Sequence, residues 1–67
     1  MKWTTNKRWV VFKNERGIYM WERSEYIPVY KDVDLFVPIL FTNKQNIAMR
    51  TARKLNNTTN NDKHDNL

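Results

Sequence analysis

The chain has 67 residues with 12 Lys or Arg, 7 Asp or Glu and no Cys, for a formal net charge of +5. That length holds one domain, near the lower limit for folding without a staple, and the absence of thiols excludes disulfides and fits a reducing compartment. No apolar run is long enough to span a bilayer or to follow the N-terminal charges as a signal peptide would, so the expectation is a soluble, cytoplasmic protein.

Residues 1–6 read as an N-terminal arm, 7–56 as a single domain and 57–67 as a disordered, Asn-rich tail with one apolar residue. Lys7 to Lys13 is a strand by its β-branched and aromatic content. KNERG, residues 13–17, is a turn whose Gly17, the only glycine, stands where a hairpin loop ends in a left-handed residue. Ile18 to Arg23 returns antiparallel. Tyr26 to Lys31 reads as a third strand, at an edge because Pro28 has no N–H for a central ladder. Asp32 to Asp34 reads as a turn and Val37 to Phe41 as a short strand or an extended segment on the core.

The helix is the best-defined element. Thr42 with Gln45 has the spacing of a capping box, and Ile47, Ala48, Thr51, Ala52 and Leu55 recur on one stripe. Asn46, Arg50, Arg53 and Lys54 fall on the opposite face. The expected fold is therefore α+β and two-layered, an antiparallel meander of three or four strands packed by one C-terminal helix.

The hairpin raises a difficulty. A strand with one wet face alternates apolar with polar residues, yet Trp9, Val10, Val11 and Phe12 are apolar on both faces, as are Ile18 to Trp21. One helix covers one face. The other must be covered by Trp3, by the 32–41 segment, by a second copy of the chain in a homodimer, or by a partner. The small helix stripe is expected to prefer Ile18 and Met20, leaving Tyr19 and Trp21 on the open face.

Charge is unevenly placed. Residues 1–23 carry a net +4, residues 24–34 a net −2 and residues 35–55 a net +4, so a basic hairpin and a basic helix flank an acidic connector. Such asymmetry points to an anionic partner, and aromatics interleaved with cations on a sheet make a stacking platform for nucleic acid. The candidate contact residues, for nucleic acid or another partner, are Trp9, Lys13, Arg16, Tyr19, Trp21, Arg23, Arg50, Arg53 and Lys54. Catalytic candidates are lacking. There is no Cys, the single His64 lies in the tail, and no G-x-G, P-loop or H-E-x-x-H motif occurs, so no enzyme, cofactor or metal site is expected.

The order of strand, KNERG turn, strand, edge strand and then F-T-x-x-x-x-I-A (Phe41 to Ala48) opening a helix resembles two groups across residues 7–55. One is the sheet-plus-helix domains with which tyrosine recombinases bind arm-type sites, similar in shape to plant AP2 domains. The other is the small proteins of phages and prophages, several of which inhibit host enzymes. The first resemblance implies basic side chains on the exposed strands, here Lys13 and Arg23. Together they imply a small modulator that binds nucleic acid or the host machinery handling it, in the host cytoplasm if phage-encoded. The alternative is a pure protein inhibitor of a host enzyme, with its exposed aromatic face as the contact.

Overall fold

A computed structural model describes Trp3 and residues 5–65, with side chains through Thr58. It contains β1 (Trp9–Lys13), β2 (Tyr19–Arg23), β3 (Val37–Thr42) and α1 (Gln45–Asp65). They form a three-stranded antiparallel sheet and one C-terminal helix, the expected α+β class. The backbone of α1 runs on through residues 57–65, where the tail was expected to be disordered; from residue 59 on no side chain is described, and residues 66 and 67 lie outside the description altogether.

The hairpin forms as its residues dictate. Gly17 N–H donates to Asn14 O at 3.0 Å and Asn14 N–H to Ile18 O at 2.9 Å, while Gly17 takes φ +80. The Asn14 side chain closes the loop from within, its Oδ1 accepting from Arg16 N–H at 2.9 Å and from Ile18 N–H at 3.0 Å. This loop pairs Val11 with Trp21 and Phe12 with Met20.

The strand order is β2-β1-β3, which corrects the expected meander. The chain leaves β2, crosses under the sheet and returns as β3 on the far side of β1. Tyr26 to Lys31 is no strand: Ser24–Val29 is a 3-10 helix, followed by a second over Val33–Leu35. The physical reason is Ile27, which is fully buried under the sheet. A compact 3-10 path carries it there, and Pro28 is tolerated in it as it is at a strand edge. Pro38 does lie in a strand, and β3 is an edge strand as proline requires. Pairing of β3 with β1 is irregular between Val11 and Phe12, where Val11 opposes Leu40 and Phe12 opposes Pro38.

The chain itself packs a cluster against each sheet face. On one, Val10 and Phe12 pack with Trp3, Ile27 and Phe36, flanked by Val33 and Phe41. Trp3 meets Phe12 edge-on at 6.1 Å between centroids, and Phe12 lies 4.6 Å from Phe36. On the other, Val11, Ala48 and Ala52 pack among Trp9, Tyr19, Trp21 and Leu40. The helix therefore takes the face with the rings, and Ile18 and Met20 stay exposed on the opposite one at 47% and 45%. This reverses the expected assignment of Tyr19 and Trp21. Small Ala48 and Ala52 complement large rings by leaving them room, whereas two flat aliphatic surfaces would leave the rings stranded in water.

The capping box does not form. Thr42 ends β3, and its Oγ1 accepts from Lys44 N–H at 3.1 Å. Lys44 O begins the helical bonding, accepting from Ile47 and Ala48 N–H at 3.2 Å each. The turn at Asn43–Lys44 thus separates Thr42 from the first helical turn by more than the motif allows.

Candidate functional site

The expected contact residues divide among four places. Arg16 is exposed at the hairpin tip, and Lys13 is half-buried in β1 opposite Tyr19. Arg50, Arg53 and Lys54 are exposed on the outer face of α1, as the helical period requires. Tyr19 and Trp21 are half-buried beneath α1 and line a shallow groove with Met49, Arg53 and Asn56. Tyr19 and Trp21 therefore do not stand open on a free sheet face; they share this groove with Arg53.

Trp9 and Arg23 form the fourth group, at the end of the sheet away from the hairpin loop. Trp9 packs on Trp21 at 5.5 Å. The Arg23 guanidinium lies over Trp9 at 5.8 Å and over Tyr26 at 5.7 Å, within cation–π range of both rings. Its Nη2 donates to Glu25 Oε1 at 2.8 Å, the one ion pair among the described residues. Arg23 is thereby held in place, and its Nε is buried without a hydrogen-bond partner.

Around this fixed arginine runs an open cleft of about 590 Å³ that residue patterns did not announce. It lies between the N-terminal segment, the start of the first 3-10 helix and the β3–α1 turn, with Lys7, Arg8, Ser24 and Asn43 on its walls. Ser24 N–H extends the ladder by donating to Arg8 O at 2.8 Å. Arg8 N–H donates to Asn43 Oδ1 at 2.9 Å, tying together residues 35 apart. The adjacent pair Lys7–Arg8 was visible as charge; Ser24 and Asn43 carried no signal, because only the fold brings them beside it.

Tyr30 marks the connector's other attachment. Its hydroxyl donates to Glu22 Oε2 at 3.0 Å, while Glu22 Oε1 accepts from Arg23 N–H at 2.8 Å. The bond to Glu22, with lesser contributions from burial and from the charges of Glu22 and Asp32, raises the Tyr30 phenol above its ordinary value of 10.0.

No helix among the described residues is long and apolar enough to cross a membrane. Comparison with protein-family models, with curated proteins and with solved structures finds no match to this chain.

Proposed function

We propose that the chain is a small, non-enzymatic modulator, of the kind carried by phages and mobile elements, that binds nucleic acid or the machinery handling it through a basic surface. One observation carries this reading. Among the described residues only Arg23 has a carboxylate partner, so Lys7, Arg8, Lys13, Arg16, Lys31, Lys44, Arg50, Arg53 and Lys54 leave a basic surface with little neutralisation among those residues. A basic surface with so little internal neutralisation attracts a polyanion and gains free energy by releasing its counterions. In this reading Arg50, Arg53 and Lys54 contact phosphates from one helix face, and Tyr19 and Trp21 offer ring edges to a sugar or base beside Arg53.

Anisotropy of labelled duplex and single-stranded DNA, titrated at several salt concentrations, tests the proposal. Three to five phosphate contacts give a log-affinity against log-salt slope of roughly −3 to −4 on duplex. Arg50→Ala and Arg53→Ala each flatten that slope by about one unit without unfolding the domain. Absence of binding at low salt overturns the nucleic-acid contact. The second reading, a protein inhibitor, then stands on β3, an edge strand exposing Val37 and Ile39 at 49% and 43%, to which a partner strand can add.

A further inference from the structure

We propose that the cleft beside Arg23 is a binding site for a single phosphate group. The argument rests on its excess of hydrogen-bond donors over acceptors. Lys7, Arg8 and Arg23 bring three cations to the walls against one carboxylate, Glu25, which is already engaged by Arg23. Asn43 Oδ1 already accepts from Arg8 N–H, and its Nδ2 adds a donor at the wall.

Two more donors, buried just beneath the cleft wall, have no acceptor among the described residues. Ser24 is only 7% exposed, lines the cleft, and its Oγ has no hydrogen-bond partner. Arg23 Nε is buried and equally unmatched. A buried polar group without a partner is costly to keep, and here both belong to adjacent residues at one cleft. Arg23 is also preorganised: two rings flank its guanidinium and Glu25 holds one end, so little side-chain freedom is left to lose on binding. A ligand that matches this set is acceptor-only, negatively charged and compact. A phosphate group meets all three conditions, and charge-assisted bonds from Arg and Lys to its oxygens are the strong kind.

The phosphate can come from a nucleic-acid backbone or from a free phosphate or phosphomonoester, and the site stands on its own geometry in either case. The probe is inorganic phosphate, titrated at constant ionic strength into the isotopically labelled full chain and followed by amide chemical shifts. The expected result is saturable shifts at residues 7, 8, 23–25 and 43. Lys7→Gln with Arg8→Gln weakens binding roughly tenfold or more. Ser24→Ala weakens it about threefold without lowering the melting temperature, because the hydroxyl has no partner among the described residues to lose. Shifts that never saturate, or saturation indifferent to these substitutions, overturn the site. A lowered melting temperature in Ser24→Ala overturns the role given to that hydroxyl.

A competition arm separates the two sources. Displacement of labelled oligonucleotide by phosphate, lost in the double Gln variant, supports the site and assigns it to a nucleic-acid backbone. Phosphate saturation in a chain that binds no oligonucleotide supports the site for a free phosphate or phosphomonoester and removes the nucleic-acid reading alone. Oligonucleotide binding without phosphate saturation overturns the site and leaves that reading in place.

Discussion

The side-chain amide of Asn56 clamps the backbone of Tyr19, its Oδ1 accepting from Tyr19 N–H at 2.9 Å and its Nδ2 donating to Tyr19 O at 2.8 Å. Tyr19 lies in β2, an edge strand whose outward backbone groups have no neighbouring strand. The amide thus supplies the donor and acceptor that another strand would have supplied. It also locks the helix to the sheet across 37 residues of sequence.

Asn56→Ala removes both bonds from a partly buried position and is expected to destabilise the domain by about 1–3 kcal/mol. Urea unfolding measures it. Asn56→Asp keeps the acceptor but sets a carboxylate against the Tyr19 carbonyl, so it is expected to cost at least as much. Wild-type stability in both variants would show that the clamp contributes nothing in solution.

The placement of the rings under α1 gives a second expectation. Trp21→Ser strips a half-buried ring from the cluster around Ala48 and Ala52 and is expected to cost about 2 kcal/mol or more, short of the cost at a fully buried site. Ala52→Asp buries an unpaired charge in the same cluster. Against a total stability of about 3–10 kcal/mol for a chain of this length, it is expected to unfold the domain. Circular dichroism melts of the two variants decide this, and a folded Ala52→Asp protein would place the helix on the other face.

Tyr30 supplies a pH dependence. Its phenol is raised by donating to Glu22, so the folded state holds this proton more tightly than the unfolded chain does. The contribution is fully present below the ordinary value of 10.0 and is lost as the pH rises through the folded value. Wild type is therefore expected to lose stability more steeply than Tyr30→Phe as the pH rises above 10.0. Parallel urea midpoints across that range would show that the bond does not hold the connector.

Cations on the helix and the hairpin were legible because each element is local. The 3.6-residue period puts Arg50, Arg53 and Lys54 outside whatever the other face of α1 packs against, and Gly17 marks the hairpin end through a conformation that glycine favours. Alternation also showed that β1 is apolar on both faces, and that both would need cover.

What provides the cover depends on residues far apart in the chain. The connector folds as two 3-10 turns instead of a strand because Ile27 and Phe36 find Val10 and Phe12 beneath the sheet. Helix and rings share a face because Ala48 and Ala52 leave space for Trp9, Tyr19 and Trp21. The cleft exists because Arg8 pairs with Asn43 across the β3–α1 turn while Ser24 continues the ladder beside it. Local propensity and periodicity specify which surfaces must be buried. Matching of volumes and hydrogen bonds between distant segments chooses their partners, and that choice is made only when the chain closes on itself.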